Sequence, residues 1–179
     1  MNPELQKQLE IFLQMTRAGA LKFAANRCGS VDDALDLLQE AMIDFVGVAD
    51  QYQQEAWKNL LYKILVRRIT DRFRKGQWRT RLAKMINFSH YGDEEITPEP
   101  VDFVDGEDSY NVGKLTETFD LALKALPARQ QEAYMLRQWQ QLSVKQTADV
   151  MDCSEGSVKT HLSRAMKNLE HALGDWIND

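Results

Sequence analysis

Apolar residues fall at helical spacing over most of the chain. Leu5, Leu9, Phe12, Leu13, Leu21 and Phe23 recur through residues 5–27 and predict one or two helices, with a break near Gly19. Ser30 then suits the start of a further helix, because its hydroxyl can accept from an unpaired backbone N–H; Asp32 and Asp33 sit at the positive end of the helix dipole. That helix runs through Ala34, Leu37, Leu38, Ala41, Met42, Phe45 and Val46. The pattern loosens over residues 47–55, GVADQYQQE. It returns with Trp57, Leu60, Leu61, Ile64, Leu65, Ile69 and Phe73, an amphipathic helix that ends in a basic run. No segment alternates with the period of two that a half-buried strand requires, and no βαβ spacing occurs.

Residues 87–113 have no helical period and contain Gly92, Pro98, Pro100 and Gly106, so they are predicted to form a flexible tether. Beyond it, Leu115, Phe119, Leu121, Leu123 and Leu126 mark a helix that Pro127 stops. Residues 128–139 make another, with Tyr134, Leu136 and Trp139 available for packing. The expected fold class is all-α: two small helical domains, residues 1–86 and 114–179, joined by the linker 87–113.

A net charge of −5 argues against a nucleic-acid partner until it is divided along the chain. Residues 67–84 hold Arg67, Arg68, Arg72, Arg74, Lys75, Arg79, Arg81 and Lys84 against Asp71 alone. Residues 92–109 hold Asp93, Glu94, Glu95, Glu99, Asp102, Asp105, Glu107 and Asp108 with no base. Local fields of this kind, more than the total, decide what each segment attracts. Basic runs are often solvated faces, yet eight bases beside one acid are hard to pack without an anionic partner.

Other chemistries find little support. The two cysteines, Cys28 and Cys153, are read as buried free thiols. His90, His161 and His171 form no cluster at metal-ligand spacing, so neither metal nor other cofactor is expected. No Walker loop is present, and the acids cluster where no fold would fix them, so no enzyme of nucleic acids is expected. No apolar run approaches the ~18 residues of a membrane span, and the N-terminus lacks the order of a secretory signal. The expected location is the cytoplasm, without membrane insertion.

Residues 142–169, LSVKQTADVMDCSEGSVKTHLSRAMKNL, are the most informative. Ser143 can cap a short helix with Val144, Ala148 and Met151 inward; Asp152 and Cys153 make a tight turn; Ser154 caps a second helix. In that helix Val158, Leu162, Ala165 and Leu169 face inward. The opposite face shows Lys159, Thr160, Ser163, Arg164 and Lys167, with Gly156 and Ser157 at its start. This is a helix-turn-helix with a polar, basic reading face. Short side chains let the helix end approach a groove, Lys and Arg neutralise phosphates, and Arg can pair bidentately with guanine. Glu155 runs against this reading, since an acid there repels phosphate.

Two blocks of residues in this order resemble the extracytoplasmic-function group of bacterial RNA polymerase sigma factors. The second comprises Leu126-Pro127, Gln131-Glu132, Leu136-Arg137, Leu142-Ser143, Ala148, Met151-Asp152-Cys153, Gly156-Ser157-Val158-Lys159 and Arg164-Ala165, similar to the family's region four. The first is Asp36-Leu37-Leu38-Gln39-Glu40-Ala41, then Leu61-Tyr62-Lys63-Ile64 and a basic helix end, similar to region two. The resemblance covers nearly the whole chain.

It implies a factor that binds core RNA polymerase, recognises two promoter elements and opens the DNA. Asp36, Gln39 and Glu40 match the polymerase-binding helix. Asp50, Gln51, Tyr52, Gln53 and Gln54 fall in the loop that captures an unstacked base of the minus-ten element, where aromatic rings stack and amides bond base edges. Trp57, Tyr62, Arg67, Arg68 and Arg72 would flank that loop and hold the backbone. Tyr52 has an equal reading as a cover for the core, and Trp57 and Tyr62 have a packing reading that aromatics more often serve. Lys159, Thr160, Ser163 and Arg164 match the minus-thirty-five base contacts, and Gly156, Ser157, His161 and Lys167 the backbone approach.

The chain departs from the family at Arg67, where Asn is frequent, and at His161, where Arg is common. The acidic linker resembles a segment threaded into the polymerase's basic channels, and a plain spacer is the other reading. The implied partners are core RNA polymerase, promoter DNA and an anti-sigma protein, with the chain a monomer when free or in a 1:1 complex. The competing reading is a stand-alone helix-turn-helix regulator that acts as a dimer at a palindrome without polymerase. It leaves the loop and the basic helix unexplained.

Overall fold

The computed structural model describes residues 3–86 and 110–177, with side chains over 3–75 and 115–174. Among the described residues every regular element is helical. The chain divides into two compact units, Met1–Pro100 and Val101–Asp179. The acidic segment 92–109 and the proposed tether up to residue 109 lie outside the described residues.

The first unit holds three helices: α1 (Pro3–Cys28), α2 (Val31–Val48) and α3 (Trp57–Ile86). The break expected near Gly19 does not occur. A glycine costs about 1 kcal/mol in a helix interior, and packing of Ala20, Phe23 and Ala24, all fully buried, outweighs it. α1 ends where Gly29 takes a positive φ of 71° and donates to the Ala25 carbonyl at 2.9 Å. Ser30 caps α2 as expected, its Oγ accepting from the Asp33 N–H at 3.3 Å. The core joins Leu9, Phe45, Ala49, Trp57 and Leu61, with Phe12 packed against it. Phe12, Phe45 and Trp57 form a triangle of rings with centroids 5.3–6.0 Å apart, two of the three pairs meeting edge to face.

The second unit is built from α4 (Tyr110–Ala125), α5 (Ala128–Tyr134), α6 (Val144–Met151) and α7 (Glu155–Ile177). α4 begins inside the stretch read as tether, so residues 110–113 are helical. Pro127 stops α4 and starts α5, its carbonyl accepting from the Gln130 and Gln131 N–H groups at 2.8 and 3.0 Å. α5 does not run regularly to Trp139: Met135–Trp139 is a wide π turn, closed by Gln140 N–H to the Met135 carbonyl at 3.0 Å. Gln141 then adopts a positive φ of 55°, which aims the chain into α6. Leu123, Leu136, Met135, Met151, Val158 and Ala165 fill the core beneath.

Candidate nucleic-acid interface

Local chemistry fixes the helix-turn-helix. Ser143 and Gln146 form a reciprocal capping box, Oγ accepting from the Gln146 N–H at 3.1 Å and Oε1 from the Ser143 N–H at 2.8 Å. α6 ends at Asp152, which is left-handed at φ 49°, and the Cys153 N–H returns to the Ala148 carbonyl at 3.1 Å. Arg129 on α5 donates to the Met151 carbonyl at 2.8 Å, so a guanidinium closes the negative end of α6. Ser154 caps α7 through the Ser157 N–H at 3.1 Å. The turn angle thus rests on three caps and one cross-helix arginine. Sequence reading missed Arg129, whose partner is 22 residues away.

α7 buries Val158, Ala165 and Leu169. Gly156, Lys159, Thr160, Ser163, Arg164 and Lys167 are exposed; Ser157 and His161 are half-buried at its flank. Among the described residues Lys159, Arg164 and Lys167 make no ion pair, so three cations stand free for an anionic partner. Met166 interrupts the polar surface, 42% exposed. Gly156 has no internal need to be glycine: a Cβ there would meet only Ser154 Oγ, at 3.8 Å.

In the first unit, Asp50, Gln51, Tyr52, Gln53 and Gln54 are all exposed, on or between two short 3-10 turns, Ala49–Gln51 and Gln54–Ala56. Tyr52 is 48% exposed, so it does not cover the core. Trp57 does: its ring is buried, and its indole N–H is shared between the Ala49 carbonyl at 3.2 Å and the Tyr52 carbonyl at 3.3 Å. A single buried donor therefore pins both sides of the loop while its polar side chains stay outward.

Tyr62, expected beside the loop as a candidate DNA contact, lies in the core instead. It is fully buried, its ring edge-on to Phe23 at 5.5 Å, and burial pushes its phenol well above the ordinary value. At ~100° per residue Tyr62 falls within the arc of Leu61, Leu65, Val66 and Ile69, so periodicity could have shown this. Arg67 lies opposite that arc, exposed and unpaired among the described residues. Arg74 and Lys75 share its exposure.

Arg68 and Arg72 are occupied differently. Arg68 donates through Nε to Asp44 at 2.7 Å and through Nη1 to Glu40 at 2.9 Å, with a second bond from Nη2 to Asp44. Arg72 pairs with Asp33. These bonds tie α3 to α2, and both arginines remain partly exposed. The bond to Asp44 raises the Arg68 pKa, against a smaller opposing effect of burial. Sequence reading missed Asp44 and Asp33 as partners.

On α2, Asp36, Gln39 and Glu40 share an exposed face with Ile43, which is 72% exposed. A large apolar side chain there continues the acidic row by one turn. Among the described residues no group of three His, Cys, Asp or Glu is placed to hold a metal ion, and no helix is long and apolar enough to cross a membrane. Cys28 and Cys153 are free and half-buried.

Residues 13–79 match the family model of Sigma-70 region 2, and residues 116–169 that of Sigma-70, region 4. Together they cover more than half of the chain. The RNA polymerase sigma factor SigV of Bacillus subtilis is 31% identical over 145 residues, 79% of this chain and 76% of that protein. The RNA polymerase sigma-E factor of Streptomyces antibioticus is 30% identical over 145 residues, 79% of this chain and 71% of that protein. A solved structure of the sigma factor RpoE with the anti-sigma factor NepR, from Bartonella quintana, shares the fold with a TM-score of 0.67 at 24% identity, over 94% of this chain and 98% of that one. Both blocks, in this order and each on its own helical unit, disfavour a stand-alone regulator: the chain belongs to the sigma-70 family of RNA polymerase sigma factors, in its extracytoplasmic-function group.

Proposed function

We propose that the two units divide promoter recognition between them. α7 enters the major groove of the minus-thirty-five element: Lys159, Thr160, Ser163 and Arg164 face bases, while Gly156, Ser157, His161 and Lys167 approach the backbone. The loop of Asp50, Gln51, Tyr52, Gln53 and Gln54 captures an unstacked base of the minus-ten element, with Tyr52 as stacking platform and the amides at base edges. Arg67 meets phosphate directly. Arg68 and Arg72 reach the backbone only from within their pairs with α2, so their main task is to hold α3 in register.

Asp36, Gln39 and Glu40 dock on core RNA polymerase, and Ile43 supplies apolar area to the same face. The first domain is residues 1–86 and the second begins with α4, so it runs from 110 to 179, with the acidic linker between them threading toward basic channels of the polymerase. The factor contributes binding and no covalent chemistry, and it works in the cytoplasm as a monomer or in a 1:1 complex. By analogy with the RpoE–NepR complex, an anti-sigma protein is its regulatory partner.

The pinned loop carries this reading. Exposed aromatic and amide side chains on a turn anchored by a buried indole suit capture of a flipped base more than packing. Replacing Tyr52 and Gln53 with Ala tests it: opening of closed duplex should fall, and transcription from a pre-melted template should not. Normal opening by that variant removes the loop from the mechanism.

A further inference from the structure

Thr160 stands at the centre of the surface that α7 turns outward. At ~100° per residue it lies roughly opposite the mean direction of Val158, Leu162, Ala165 and Leu169, and Lys159 and Arg164 flank it on either side. Its hydroxyl is already committed: Oγ1 donates to the Gly156 carbonyl at 3.0 Å. That bond consumes the one proton the side chain could offer to a guanine or a phosphate oxygen. It also draws the oxygen against the backbone, leaving the methyl group as the outward chemistry.

Helical side chains lean toward the N-terminus, so Thr160 covers the turn that begins at Gly156. Gly156 brings no side chain of its own, and the space a Cβ would take is open apart from Ser154 Oγ. A base edge approaching this bare turn meets a methyl group between two cations. Thymine presents a matching group, since its C5-methyl projects into the major groove and makes apolar contact with threonine. We propose that Thr160 is a specificity-determining residue that reads one thymine of the upstream promoter element through its methyl group. The inference rests on the promoter-binding role of α7 and names the base that this role leaves open.

The test uses core polymerase reconstituted with the full chain on a library randomised across the upstream element. The wild-type factor should select thymine at one position on one strand. Deoxyuridine there, which lacks only the methyl group, should lower occupancy about fourfold, the effect of one buried methyl. Thr160→Ser keeps the hydroxyl and should treat thymine and deoxyuridine alike; Thr160→Val keeps the methyl and should retain the preference. Both changes lie on an exposed face, so equal melting temperatures accompany the expected result. A Thr160→Ser factor that still discriminates, or a Thr160→Val factor that does not, overturns the inference alone. Failure of the wild-type chain to initiate on any template overturns it together with the sigma-factor reading.

Discussion

Gly156→Ala should stabilise the fold and weaken promoter binding at once. Gly156 is helical, second in α7, and an added Cβ would meet nothing closer than Ser154 Oγ at 3.8 Å, an ordinary contact. The substitution therefore carries only the intrinsic helix preference, about 0.5 kcal/mol in a first turn and up to about 1 in a helix interior. For a unit of this size that raises the melting temperature by about 2–8 °C. The same methyl projects from the surface that α7 presents to DNA, where it holds the backbone or a base edge away. Losing one such contact costs on the order of 1–3 kcal/mol, about 5- to 150-fold in affinity. Far-UV circular dichroism on heating reads the first effect, and holoenzyme binding to duplex promoter reads the second. Opposite signs support the reasoning. A lower melting temperature would show that Gly156 answers an internal need, and unchanged affinity would remove this turn from the interface.

Two further substitutions and one alkylation have definite expected outcomes. Thr147 is fully buried and its Oγ1 has no hydrogen-bond partner among the described residues, so Thr147→Val should add about 1–2 kcal/mol of stability in a denaturant titration; a clear loss would reveal a partner for the hydroxyl. Trp57→Phe removes the indole donor shared by Ala49 and Tyr52, so it should slow opening of closed duplex while leaving upstream-element binding intact; unchanged opening kinetics would contradict the pinned loop. Burial, with help from Asp33, pushes the Cys28 thiol to about 11 from 9.0 against the opposing pull of Arg72 and Arg27. The folded chain thus holds the thiol proton more tightly, a stabilisation present below pH 9 and lost as pH rises toward 11. Alkylation of Cys28 at pH 8 should run about a hundredfold slower in the folded than in the denatured chain, as followed by peptide mass; equal rates would refute the shift.

What the sequence made legible was local. Ser30, Ser143 and Ser154 cap the helices they were expected to cap, because a hydroxyl and the N–H three residues on need no distant partner. The turn at Asp152 and the inward stripe of α7 follow from spacing alone. What escaped was set across the fold. Gly19 reads as a break, but the alanines and Phe23 beside it pack tightly enough to carry the helix through. The π turn at Met135–Trp139 depends on how α5 must meet α6, which no local preference encodes. Arg68 and Arg72 read as phosphate ligands because their partners, Asp44 and Asp33, lie 24 and 39 residues away. Tyr62 carried two readings, a place beside the loop and a place in the core, and its helical position among Leu61, Leu65, Val66 and Ile69 already favoured the core, where it lies.

Run-off transcription with core RNA polymerase on a random promoter library, with and without this protein, separates a promoter-directing sigma factor from a stand-alone DNA binder. A sigma factor should give factor-dependent transcripts whose templates share two spaced upstream elements, and those transcripts should be lost when Lys159, Arg164 and Lys167 are replaced by Ala. Failure to bind core polymerase or start on any template, together with tight duplex binding by the protein alone, would contradict the sigma-factor assignment.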